Sequence, residues 1–366
     1  MEKEKEKELV NPNPTKVGIS IGDINGVGPE IIMKALSDSR MLLDCTPVIY
    51  GSSRVFSHYR KMMNELEFNF QSCKDASSAV NRKINLVNVW EEDITIETGQ
   101  VTENGGKFAF QSLEKATQDL AAGKIDVLVT APISKEAMAK SGFKFPGHTE
   151  YLADLSGEAE ALMLMVSGNL RVALVTTHIP LKEVHSTLTK DKIISKIQAF
   201  DASLKKDFGI IRPKIAVLGL NPHAGENGKM GQEEQEIIAP AINQLRNEQI
   251  LAFGPYPADG FFGSRSRNEF DGIVAMYHDQ GLTAFKALAF EDGVNYTAGL
   301  PIVRTSPDHG TAFDIAGKNQ ASEHSIRNAI YVAIDVLKNR KINKQIHSNP
   351  LKISPRENKR SNSGIE

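Results

Sequence analysis

Residues 214–223, KIAVLGLNPH, form a short apolar run that breaks at Gly219 and ends in a histidine. The run is continuous rather than alternating, the pattern of a strand covered on both faces of a parallel sheet. It recurs outward in both directions: KVGISIGD (16–23), TPVIYGS (46–52), KINLVNVW (83–90), DVLVTAPIS (126–134), RVALVTTH (171–178) and GIVAMYHDQ (272–280). Between the runs lie amphipathic stretches, notably Gly106–Ala122 and Lys190–Phe208, and a closing helix is expected over Ser322–Arg340. Strand, helix, strand at this spacing predicts an α/β fold. The ordered body is expected over about Thr15–His347, with polar tails at residues 1–14 and 348–366 that have little apolar surface to bury.

Composition narrows the function classes. Lys plus Arg is 43 and Asp plus Glu is 45 in 366 residues, so the net charge of −2 offers no electrostatic footprint for nucleic acid. No apolar run reaches the 18 or so residues of a membrane span. Met1–Glu8 alternates Lys and Glu and resembles neither a signal nor a transit peptide. Two cysteines, Cys45 and Cys73, make no disulfide framework. A reduced, cytoplasmic protein is expected, without nucleic-acid or membrane partners.

In open α/β sheets, ligands bind beyond the carboxyl ends of the strands. Three runs end there in histidine: His178, His223 and His278. Each alone is equally an ordinary rim histidine. Three in one register are expected to converge on a divalent metal. Asp279 follows His278 and would orient it or accept a proton. Asp259, in GPYPADGFF, is a second carboxylate near that strand, or a turn former. His148 and Thr149, in GHTEYLA, precede a helical stretch, where backbone N–H groups bind anions and where Thr149 would equally serve as a cap. Lys286, Asn295 and Arg304 add groups for a phosphate and a carboxylate, with Arg304 expected to give the bidentate contact. GISIGDINGVGPEII (18–32) lacks the G-x-G-x-x-G fingerprint, and its Gly22, Gly26 and Gly28 form either a phosphate loop or a structural turn. Pro29 and Glu30 read as a helix start.

The blocks SIGDINGVGPEI, VTAPISK, FPGHTEYLA, VTTHIPL, GLNPHAGE, GPYPADGFF, YHDQGLTAFK and SPDHGTAFDIAGK together resemble the 4-hydroxythreonine-4-phosphate dehydrogenase family of pyridoxal phosphate biosynthesis, from about Gly18 to Ile330. The resemblance implies an isocitrate/isopropylmalate dehydrogenase-like architecture, two α/β/α subdomains flanking a cleft. It places residues 15–145 plus 303–347 on the nucleotide side and 146–302 on the metal, substrate and dimer side. It implies a homodimer with shared active sites, and one divalent ion (Zn, Mg, Co or Mn) on His178, His223 and His278. Substrate positions would be His148, Thr149, Lys286, Asn295 and Arg304. Asp308–Lys318 resembles an adenosine-binding loop, giving His309, Gly310, Thr311 and Asp314 to NAD (or NADP); related loops often have Gly where this chain has Asn319. The implied reaction oxidises 4-phosphooxy-L-threonine and decarboxylates the keto acid to 3-amino-2-oxopropyl phosphate. The general base is left open among Asp279, Asp259 and Lys135. A relative acting on 4-phospho-D-threonate or 4-phospho-D-erythronate is the near alternative. A phosphate acyltransferase, which would need neither the three strand-end histidines nor DHGTAFDIAGK, and a non-catalytic metal-binding or regulatory protein, in which the filled polar sites would have no use, are the distant ones.

Overall fold

Alternate residues of each buried strand feed opposite cores, and that alternation sets the layers. Within Cys45–Gly51, Ile49 joins the largest core cluster while Val48 and Tyr50 join a second on the other face. The computed structural model describes residues 14–64, 66–157 and 161–349. The expected tails at 1–14 and 348–366 lie outside these residues, apart from Pro14 and residues 348 and 349.

The strands are β1 Thr15–Ser20, β2 Cys45–Gly51, β3 Gln71–Cys73, β4 Asn85–Asn88, β5 Val127–Thr130 and β6 Leu162–Ser167, then β7 Leu170–Leu174, β8 Lys214–Leu218, β9 Leu251–Tyr256, β10 Gly272–Ala275, β11 Val294–Ala298 and β12 Arg304–Pro307. They form one sheet in the order β3-β4-β2-β1-β5-β12-β11-β6-β7-β10-β8-β9. One half therefore draws on residues 15–130 and 304–307, the other on residues 162–298. The helices pack on both faces: Glu103–Ala121 covers β1 and β2, and Lys190–Lys206 covers β6, β7 and β11. The first large core runs under both halves on one face. On the opposite face the core is split into two clusters, one per half.

Two expectations need correction. The sheet is mixed, not parallel throughout: β11 pairs antiparallel with β12 and β6, and β6 antiparallel with β7. Only Gly168 and Asn169 separate β6 from β7, with Gly168 at φ 52°. Two residues can make a hairpin but not the crossover that parallel pairing needs. The last helix runs His324–Ser348, well past the expected Arg340, so residue 348 is helical rather than tail. Its final turns are exposed, Ile342 and Ile346 included, so they bury no face against the core. Cys45 is buried and Cys73 half-buried, both free thiols. No helix among the described residues is long and apolar enough to cross a membrane.

Candidate active site

A cavity of about 490 Å³ opens on the split face, between Ala161, packed on one half's core, and Met163, packed on the other's. Strand ends and helix starts supply its polar lining, because main-chain groups and short polar side chains gather where regular structure stops.

Arg304 opens β12 and is 3% exposed. Its Nε and Nη2 both donate to Thr130 Oγ1, at 3.1 and 2.7 Å. Nη1 donates to Thr297 Oγ1 at 3.2 Å and to Thr149 Oγ1 at 3.5 Å, and Nη2 lies 3.2 Å from His148 Nδ1. The fork expected to clasp an anion is thus spent on three hydroxyls and an imidazole. That corrects the bidentate reading: Arg304 arranges the groups that face the cavity. Among the described residues it has no ion-pair partner, and burial pulls its pKa down to about 10, still charged at neutral pH.

His148 and Thr149 begin the helix His148–Ser156, whose N-cap is Gly147, so Thr149 is not the cap. Burial, with the Arg304 charge second, pushes His148 well below the usual histidine value. A neutral ring that accepts from Arg304 at Nδ1 carries its proton on Nε2. That Nε2 is buried without a partner, a donor waiting for an acceptor. Asn295 Oδ1 is buried and unpartnered as well. The Lys286 ammonium donates to the Asp308 carbonyl at 3.1 Å and sits 3.3 Å from its carboxylate.

His178 and His278 line the same cavity, with ring centroids 5.5 Å apart. His278 Nδ1 lies 2.7 Å from Asp279 Oδ1, which fixes the ring and leaves Nε2 as the free nitrogen. Burial first and Lys135 second lower the His178 pKa, favouring the neutral, ligating form. This donor set suits a divalent metal. His223, however, is exposed and does not line this cavity, and among the described residues no group of three or more His, Cys, Asp or Glu is arranged to hold an ion. It stands in a left-handed turn, His223 to Asn227, with φ 55°, 49°, 79°, 41° and 55°. For non-glycine residues this conformation costs roughly 1–2 kcal/mol each. The single-chain structure thus pairs His178 with His278 and leaves His223 apart.

Of the three candidate bases, Lys135 lines the cavity, Asp279 serves His278 at its rim, and Asp259 is exposed and outside it. Sequence reasoning missed Thr130 and Thr297, the hydroxyls that hold Arg304; Asp308, expected at the head of the nucleotide loop, pairs with Lys286 instead.

His309 and Gly310 also line the cavity. Thr311 faces the glycine-rich turn instead: its carbonyl accepts from Val27 N at 2.9 Å. A Cβ on Gly26 would come within 2.9 Å of that oxygen. Glu30 is fully buried and accepts from Gly317 N and Ala321 N, both at 3.1 Å. The turn is therefore structural, a brace for residues 311–321, rather than a phosphate loop. Asp314 is exposed. Asn319 has φ 57°, a region that Asn tolerates better than most residues, so the departure from Gly keeps the backbone path.

Asp23 in this turn is fully buried, with Oδ2 unpartnered, and burial raises its pKa to about 6. The native state therefore holds this proton more tightly than the unfolded chain. Its contribution is full below pH 4 and is lost as pH rises through 6, a change of roughly 3 kcal/mol. Asp23→Asn should remove that slope. Above pH 7 it should gain about 1–2 kcal/mol net, since a buried, unpaired amide still costs something. Denaturant titrations at pH 4 and 8 check this; parallel pH dependence in both proteins would refute it.

Residues 43–333 match the family described as pyridoxal phosphate biosynthetic protein PdxA. The chain belongs to this family. A 4-hydroxythreonine-4-phosphate dehydrogenase of Bacteroides thetaiotaomicron is 52% identical over 341 residues, 93% of each chain. The crystal structure of the Klebsiella pneumoniae enzyme of that name superimposes with a TM-score of 0.78 at 35% identity, covering 89% of this chain and 99% of that one. A relative from Oceanobacillus iheyensis, 41% identical over 87% of this chain and 97% of its own, carries a provisional D-threonate 4-phosphate dehydrogenase name. The chain is thus a dehydrogenase.

Proposed function

We propose that this chain oxidises 4-phosphooxy-L-threonine with NAD and releases carbon dioxide, giving 3-amino-2-oxopropyl phosphate. The observation that carries the reading is the buried, orphaned His148 Nε2 beside Arg304, in one cavity with Lys286, His178 and His278. A neutral imidazole donor backed by a buried guanidinium is a receptor for an anion. His148, Thr149 and Lys286 hold the substrate phosphate, and Arg304 charges and orients them. Fixing the phosphate there holds the reacting carbon toward His178 and His278. When bound, a divalent ion supplies Lewis acidity at the substrate hydroxyl and NAD supplies the hydride acceptor. Lys135 adds positive charge beside His178, and the segment around His309 and Gly310 receives the nucleotide. The two halves of the sheet act as the two subdomains of the cleft.

His178 and His278 form one protomer's part of the metal site, and His223 of the partner subunit completes it across a homodimer. The exposed His223 supports this division. The 41% identical relative named for D-threonate 4-phosphate makes that acid the second reading. Purified protein given NAD and each substrate separately decides: NADH and carbon dioxide from the amino acid support the proposal, and turnover of 4-phospho-D-threonate alone would replace it.

A further inference from the structure

The turn that carries His223 has an unusual anchor. Glu234 is 2% exposed, and one of its carboxylate oxygens accepts from both Leu220 N and Asn221 N, each at 2.7 Å. The other oxygen accepts from Asn221 Nδ2 at 3.1 Å, and that same amide nitrogen donates to Glu233 at 2.7 Å. The carboxylate fills the inside of the loop so closely that a Cβ on Gly225 would lie 2.6 Å from Glu234 Oε2. A second tie comes from Gln280, two residues after His278. Its Nε2 donates to the Gly219 carbonyl at 2.6 Å, and its Oε1 accepts from Met276 N at 2.7 Å. The loop after β8 is therefore fastened to the strand end that presents His278, and the left-handed turn is forced outward from that fixed base.

We propose that Glu234 is a positioning residue for metal binding: it clamps residues 220–221 so that the left-handed turn presents His223 outward, to the site of a second copy of this chain. The proposal rests on the reading of His223 as a partner-donated ligand. Glu234 makes no contact with the metal; it acts through the backbone of the turn. A turn with four non-glycine residues at positive φ is held by its anchors, not by local preference.

The test is cobalt titration of chelator-stripped dimer, followed by the visible absorption of bound cobalt, with thermal melting alongside. His223→Ala is the benchmark. Glu234→Ala should weaken cobalt binding by roughly tenfold or more, the effect of losing an outer partner of a ligand, and alter the absorption band. Glu234→Gln keeps an acceptor for both backbone N–H groups and should bind cobalt far closer to wild type. If Glu234→Ala does not fold, Asn221→Ala, which removes the side-chain tie alone, should show the weakening. Cobalt bound at wild-type strength and with an unchanged band by the folded Glu234 or Asn221 variant, while His223→Ala loses it, overturns the clamp and leaves the ligand assignment standing. Unchanged binding in His223→Ala itself removes the ligand assignment and the clamp with it.

Discussion

Arg304→Ala is expected to lose roughly 30-fold to several-thousand-fold in kcat/KM, the equivalent of about 2–5 kcal/mol for a buried charge-assisted contact. Removing the guanidinium frees Thr130, Thr149, Thr297 and the His148 ring at once, so the anion site loses its charge and its shape together. Stability should change much less than activity. A desolvated guanidinium without a carboxylate partner is itself expensive, which offsets much of what its hydrogen bonds contribute. Arg304→Lys should not rescue, because three ammonium donors cannot reproduce a planar fork that reaches Thr130, Thr149, Thr297 and His148. Inorganic phosphate should raise the wild-type Tm and leave that of Arg304→Ala unmoved. An Arg304→Ala enzyme with unchanged kcat/KM and an intact phosphate response would refute the assignment.

His278→Ala is expected to abolish turnover by removing a ligand nitrogen while the fold survives, since the ring stands half exposed at the first residue of the helix His278–Ala289. Asp279→Asn should give a graded version of the same loss. Asp279 pairs with His278 Nδ1, and outer partners of this kind are worth about 10–100-fold in metal affinity. Elemental analysis and kcat for the two variants check the order. Equal and full metal content in both would show that His278 is not a ligand.

The α/β class was legible because β1, β2, β5, β7, β8 and β10 are continuous apolar runs. Two of the strands that were missed lack an apolar run, for different reasons. β12, RTSP, is polar because it carries Arg304 and Ser306 into a cavity, and β3 is a short edge strand with two exposed residues. Functional sites break the apolar pattern that marks a strand. The pairing of β11 with β6 joins segments far apart in sequence, which periodicity does not encode. The candidate list found most of the cavity, because strand-end position is a sequence property. It failed on direction. Nothing local says that Arg304 turns to Thr130, a residue 174 positions earlier, or that the loop after β8 winds left-handed and carries His223 away from His178 and His278. The substitution of Asn319 for Gly was readable in principle, since Asn is the natural second choice at positive φ.

The central claim is that each site takes His178 and His278 from one chain and His223 from the other, and mixed dimers test it directly. His223→Ala and His278→Ala homodimers should both be inactive, each lacking one ligand at every site. In a mixed dimer of the two, one site collects both lesions and the other has all three histidines. Refolding an equal mixture makes about half the dimers mixed, so roughly a quarter of wild-type sites should return. His178→Ala mixed with His278→Ala should restore nothing, because those lesions fall in different sites of every mixed dimer. With mixed dimers confirmed by mass spectrometry, activity from the first mixture and none from the second is the predicted result; silence from the first, or recovery in the second, would contradict the account.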